Sequence, residues 1–260
     1  MSSNAAKAID QFSPRAHAYV ESIDHSHGPD LELVIRVLAG MRYERALDVA
    51  TGGGHCALTI APYCDKVIAA DVTPAMVEAA RKFFAAQELE NIEVVEADAH
   101  ALPFEDHHFD LVTCRIAPHH FEDPAAFMAE VARVLRPGGK FLLIDNIAPE
   151  DERLDAFINW LEAARDPSHV RNLKVSQWRE TVEAAGLEIR ECLRLERRHV
   201  FERWCRRAGM DEAAIAELTA DVLRTEKHAL EAYDVQTDLK GNRIESFRDL
   251  KVFLLARKPS

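Results

Sequence analysis

The stretch RALDVATGGGHCAL, residues 45–58, constrains the fold more than any other. An apolar run ends in three consecutive glycines, and a second apolar run follows at once. That order predicts a strand, a tight turn and a helix start. Glycine tolerates positive φ and lets backbone approach a ligand closely. A helix N-terminus adds unpaired N–H groups and a favourable dipole. Together they describe a nucleotide-type cofactor site without saying which cofactor.

The same alternation continues along the chain. Residues 30–39 read as a helix capped by Asp30, with Leu31, Val34, Ile35 and Leu38 at helical spacing. ALDVA, KVIAADV, NIEVVEAD (ending at Asp98), FDLVTCRIA and KFLLIDN read as five strands. Thr73 followed by Pro74, and Asp123 followed by Pro124, start helices, the second stopping at a Pro-Gly-Gly turn. DERLDAFINWLEAAR and residues 175–185 add helices, the latter closing at Gly186. LEIRECLRLERRH and IESFRDLKVFLLARK supply two more strands. Strands alternating with helices imply parallel pairing with right-handed crossovers. The expected fold is therefore α/β, a doubly wound, mostly parallel seven-stranded sheet. We read residues 1–260 as a single domain, with a helical insert over about 199–236.

Composition narrows the function. The 260-residue chain is long enough for a substantial core, and its net charge of -12 disfavours a nucleic-acid partner. RLERRH and RRAG near the C-terminal third are basic runs that read as solvated faces. Five cysteines with no C-x-x-C pair suggest reduced thiols. The first residues lack an apolar signal core and no apolar run approaches a membrane span, so a cytoplasmic protein with no membrane partner is expected. His107, His108, Cys114, His119 and His120 lack the paired couplets of a structural zinc site, so no metal is expected.

Asp71 lies about 20 residues past the glycine loop, where an acid takes ribose hydroxyls in dinucleotide folds. That position suits NAD and S-adenosylmethionine equally. Asp48, inside the strand before the glycines, would repel a pyrophosphate and suits a ligand bearing an ammonium and a sulfonium.

LDVATGGGH, AADVTPAMVEAA, EADAHALPFEDHHFDLVTCR and RVLRPGGKFLLID resemble, in order, the motifs of class I S-adenosylmethionine-dependent methyltransferases. The nearest likeness is to the ubiquinone/menaquinone-biosynthesis-like (type 11) small-molecule group, over about residues 12–148. Ala50 stands where the family's first loop glycine is found, a change expected to cost little. The resemblance implies S-adenosylmethionine as cofactor, S-adenosylhomocysteine as product and a small-molecule acceptor. It places Gly52–Gly54 and Ala50 against the methionine part and Asp48 near its ammonium. Asp71, with Val72 beside it, would take the ribose, Met76 a face of the adenine, and Asp98 and Ala99 its amino edge. Arg115 would open the substrate side. The polar N-terminal segment, residues 1–29, would form a lid, bringing Tyr19 and His25 to the methyl-transfer cavity.

Methyl transfer from a sulfonium needs chiefly alignment, and a general base only for a protonated nucleophile. His119 and His120, after the fourth strand, are the candidates for that base, with Tyr19 a third catalytic candidate. RDPSHVR, residues 165–171, reads as a surface loop near the rim. A nicotinamide-dependent oxidoreductase and a cofactor-binding regulatory protein without catalysis are the alternatives. A monomer or homodimer is expected.

Overall fold

The computed structural model describes residues 3–20 and 28–260. Eight strands form one sheet: β1 Tyr43–Val49, β2 Cys64–Asp71, β3 Ile92–Glu96, β4 Phe109–Arg115, β5 Leu135–Asn146, β6 Glu188–Val200, β7 Gln236–Thr237 and β8 Ile244–Arg257. Their order is β3-β2-β1-β4-β5-β8-β6, with β7 paired to β8. The sheet thus has one strand more than the seven expected, the two-residue β7. β1 to β5 pair in parallel, while β8 runs antiparallel to both β5 and β6. Strand order reverses between β1 and β4, so their carboxyl ends open the crevice where doubly wound sheets bind ligands.

Alternation along each strand feeds two cores. On one face Leu47, Val112, Phe141 and Leu143 pack on Phe127 and Val131 of helix Pro124–Val134 and on Trp178 and Val182 of helix Val175–Ala184. On the other, Ala46, Val67, Leu111 and Leu142 meet Val34 and Leu38 of helix Pro29–Leu38, Ile60, and Val77 and Phe84 of helix Pro74–Ala86. A third cluster joins helix Glu152–Arg165 to helices Phe201–Arg207, Glu212–Leu223 and Lys227–Ala232 through Phe157, Trp204, Leu218 and Tyr233.

Three local expectations are corrected. Asp30 does not cap its helix: it lies in the first turn, buried, and pairs with Arg115. Thr73 occupies the N-cap position, but its side chain makes no capping bond; the Asp71 carboxylate accepts from the Thr73 N–H instead. The helix before β5 ends at Val134, and Pro137-Gly138-Gly139 already belong to the strand. Asp123 does cap that helix, accepting from the Ala126 N–H at 2.9 Å.

Candidate functional site

The glycine loop is shaped by close approach. Gly54, at φ +87°, faces the Phe84 ring so tightly that a Cβ would lie 2.5 Å from it. Gly52 is also left-handed, with φ +53°. Ala50 shares that conformation at φ 52°, where a side chain costs about 1–2 kcal/mol. Ala50 therefore holds a backbone conformation that glycine adopts at lower cost.

Two buried acids brace this loop. Asp48 on β1 accepts from the Thr51 and Thr113 hydroxyls, each at 2.6 Å. Asp71, at the end of β2, accepts from the Gly52 N–H at 2.8 Å and the Thr73 N–H at 2.9 Å. Burial pushes both carboxyls upward in pKa, and these hydrogen bonds oppose the push. Asp71 is thus a loop brace as well as the acid positioned for a ribose; each oxygen retains a lone pair for a further donor. Asp98 lies two residues past β3 and accepts from both the backbone N–H and the ring of His100, at 3.0 and 2.9 Å. These bonds outweigh its partial burial and hold its pKa low.

One cavity gathers most of the residues named from sequence. Asp48, Ala50, Gly52, Asp71, Val72, Met76, Asp98, Ala99, Arg115, His119 and His120 all line it. Gly54 does not; it sets the loop's approach to Phe84. Arg115 lines the cavity with its Nε donating to Asp30 at 2.7 Å, both groups buried. It therefore ties helix Pro29–Leu38 to the end of β4. Helix Ser3–Phe12 contributes Ala5, Ala8 and Phe12 to the lining. The side chain of Tyr19 and all of His25 lie outside the described residues.

The segment after β4 turns sharply. Ile116, also lining the cavity, has φ 53°, which for a β-branched residue is strained. A short 3₁₀ turn, Pro118–His120, follows. His119 is buried and its Nδ1 lies 2.6 Å from Asp145 Oδ1 on β5. Among the described residues nothing engages its Nε2. Burial pushes the His119 pKa down to about 3 and that of Asp145 up to about 7, so one proton is shared between two groups that resist charging. His120 Nδ1 donates to the Ser168 carbonyl at 3.1 Å, and its ring meets Phe12 edge-on at 5.1 Å; burial lowers its pKa to about 4.

Residues 165–171 are only in part a surface loop: Pro167 and Val170 are exposed, but Asp166 and Ser168 are buried. The His119 carbonyl accepts from the N–H groups of Val170 and Arg171 at 2.9 and 3.0 Å. Ser168 is fully buried, its N–H and hydroxyl donating to Asp166. The loop is the floor on which the two histidines stand.

Sequence reasoning missed a second polar group at this edge. His199 Nε2 lies 2.8 Å from Asp249, which also takes Lys251 at 3.3 Å. Lys251 reaches Asn146, whose amide donates to Glu162 at 3.3 Å. Burial, only partly offset by Arg165, moves the Glu162 pKa up to about 7. Burial is outweighed at Asp249, where Lys251 and His199 hold the acid ionised. The available signal was RDLKVFLLA, charges alternating at the head of an apolar strand. Among the described residues no group of three or more His, Cys, Asp or Glu is placed to hold a metal ion, and no helix is long and apolar enough to cross a membrane.

Comparison with known proteins bears directly on this geometry. A methyltransferase-domain family profile matches residues 47–143, from β1 to β5. YcgJ of Bacillus subtilis, an uncharacterised methyltransferase, is 39% identical over 198 residues, 76% of this chain and 78% of its own. A demethylmenaquinone methyltransferase of Clavibacter sepedonicus is 35% identical over 114 residues, 44% of this chain and 46% of its own. The solved structure of a Bacillus halodurans protein shares 39% identity, covers 90% of this chain and 100% of that one, and superposes with a TM-score of 0.86.

Proposed function

Because this chain belongs to the methyltransferase family, we propose that its cavity binds S-adenosylmethionine and passes the methyl group to a small-molecule acceptor. The observation that carries this reading is the pair of buried acids, Asp48 and Asp71, bonded to a left-handed glycine loop and lining the same cavity as His119. Asp71 would accept from the ribose hydroxyls, and Asp48 would favour the cationic amino-acid portion. Met76 and Ala99, both buried beside the cavity, would form the adenine slot. Helix Ser3–Phe12 and helix Phe201–Arg207 would cover the acceptor, the first as part of a lid.

His119 is the better base of the two histidines when the acceptor bears a proton. With Asp145 ionised, Nδ1–H donates to the carboxylate and Nε2 carries a lone pair. With Asp145 protonated, its O–H donates to Nδ1 and Nε2 carries the hydrogen, so the ring cannot accept. The pair is competent only after it has lost one proton.

Ligand-induced thermal stabilisation tests the cofactor. S-adenosylhomocysteine at 100-fold excess over Kd should stabilise the protein by about 2.7 kcal/mol, and NAD should not. Equal or greater stabilisation by NAD would overturn the assignment and favour the oxidoreductase reading.

A further inference from the structure

The stretch EADAHALPF, running out of β3, places His100 two residues past Asp98. Helix Pro124–Val134 holds its backbone: the Leu102 N–H donates to Glu130 at 2.7 Å, and Arg133 donates to the Leu102 and Phe104 carbonyls at 2.9 and 2.7 Å. The Ala101 N–H closes a turn onto the Asp98 carbonyl at 3.0 Å. With the backbone fixed, rotation of the Asp98 side chain is the freedom that remains. His100 removes it. Its backbone N–H and its ring Nδ1 both meet Asp98 Oδ1, at 3.0 and 2.9 Å, and two donors on one oxygen set the plane of the carboxylate. No donor among the described residues reaches Oδ2, and Asp98 lines the cavity together with Asp71, Met76 and Ala99.

An ionised carboxylate only accepts, so the hydrogen of this contact sits on Nδ1, and in the neutral ring Nε2 keeps the lone pair. That nitrogen is buried without a partner among the described residues, a cost that a phenyl ring of similar size would avoid. Phe121 meets the imidazole edge-on at 5.3 Å and braces it beside the acid. The ring therefore serves its Nδ1 donor and not packing alone. Fixed in this way, Oδ2 offers only lone pairs, and a site so built selects an N–H donor over an analogue that lacks it. We infer that His100 is a positioning residue that turns Asp98 Oδ2 onto the amino group of adenine, and that this contact makes cofactor binding specific for a 6-aminopurine. The inference rests on the S-adenosylmethionine reading and assigns the residue behind its base specificity.

The test is calorimetric titration of the full chain with S-adenosylhomocysteine and with its 6-deamino analogue, in which hydrogen replaces the adenine amino group. The unmodified protein should bind the amino form about 10- to 100-fold more tightly, the scale of one hydrogen bond to a charged group, and Asp98→Ala should abolish the preference. His100→Phe keeps a ring against Phe121 and loses the donor; it should lower the preference by about 10-fold. His100→Asn loses the ring but keeps an amide nitrogen where Nδ1 stood, and should retain most of the preference. Affinity for the deamino analogue should be the same in all these proteins, which reports an intact fold. No preference in the unmodified protein, a preference that survives Asp98→Ala or His100→Phe, or one lost equally in both His100 variants would overturn the inference. An unmodified protein that binds neither ligand would instead overturn the cofactor reading, and the inference with it.

Discussion

On the glycine-loop side of the cavity, three acids are delivered by the ends of successive parallel strands, Asp48 on β1, Asp71 on β2 and Asp98 just past β3. On the opposite side the polar groups are mostly cations and histidines, drawn from β6, β8, two helices and the turn after β4. The first set is fixed in large part by backbone, Asp71 taking two N–H groups and Asp98 one, while Asp48 takes the Thr51 and Thr113 hydroxyls. The second is fixed by side chains gripping one another across long sequence distances, as in His119–Asp145 and His199–Asp249–Lys251. A backbone-braced half suits a ligand common to many relatives. A half built from side chains can change its occupant while the sheet stays as it is.

The comparison predicts that damage separates. The largest effect belongs to the acceptor side: His119→Ala should slow single-turnover methylation of any acceptor that needs a base by about 10²–10⁴-fold, with S-adenosylhomocysteine affinity near normal. If the double variant with His120→Ala keeps most of the rate, proximity alone carries the reaction. The wild-type rate should fall as pH drops through about 7, where Asp145 takes up its proton, and not through the ordinary histidine range near 6.5, because burial holds both rings well below it. Asp145→Asn should abolish that inflection; a profile unchanged by the substitution would remove Asp145 from the reaction.

Asp71→Ala should reverse the pattern, weakening S-adenosylhomocysteine binding by about 2–4 kcal/mol while the His119–Asp145 contact stays intact. Calorimetry on the folded variant decides it. Part of the loss will come from the Gly52 and Thr73 N–H groups left without their acceptor, so unchanged affinity would dismiss both roles at once.

Glu162 sharpens the contrast through stability. Its folded pKa is raised to about 7, above its unfolded value of about 4.3. Its favourable contribution is therefore complete below pH 4 and is lost as pH rises through 7. Glu162→Gln should match the wild type at about pH 4 and exceed it by roughly 3–4 kcal/mol at pH 8. Urea denaturation at the two pH values measures this, and a difference that does not grow with pH would contradict the assigned shift. The smallest effect lies in the loop: Ala50→Gly should raise stability by a few tenths to about 1 kcal/mol, since glycine carries no left-handed penalty but loses more chain entropy. Destabilisation in the same assay would mean that the Ala50 methyl contributes packing.

Much of the glycine-loop half was legible because it is written locally. A strand, three glycines and an acid about 20 residues on are adjacent features, and period-2 and period-3.6 patterns placed their elements. The opposite half was not legible, because its contacts join distant residues. Nothing near Asp145 announces His119, and nothing near His199 announces Asp249. Alternation in RLERRH could have shown that Arg197 and His199 share a face, but only the partner strand reveals that the face is inward. Asp30 misled for a related reason: an acid at a helix start ordinarily caps, and only the buried Arg115 85 residues away redirects it.

The place of β8 between β5 and β6 also orders events in time. The first five strands can assemble once residue 146 has been made, and with them the glycine loop and its two acids. β6 has no strand to pair with until residues 244–257 exist. At a synthesis rate of about 5–20 residues per second, the intervening stretch takes on the order of 10 s. During that interval the nascent chain can hold a braced glycine loop, while the arginines and histidines of the opposite wall have not yet met.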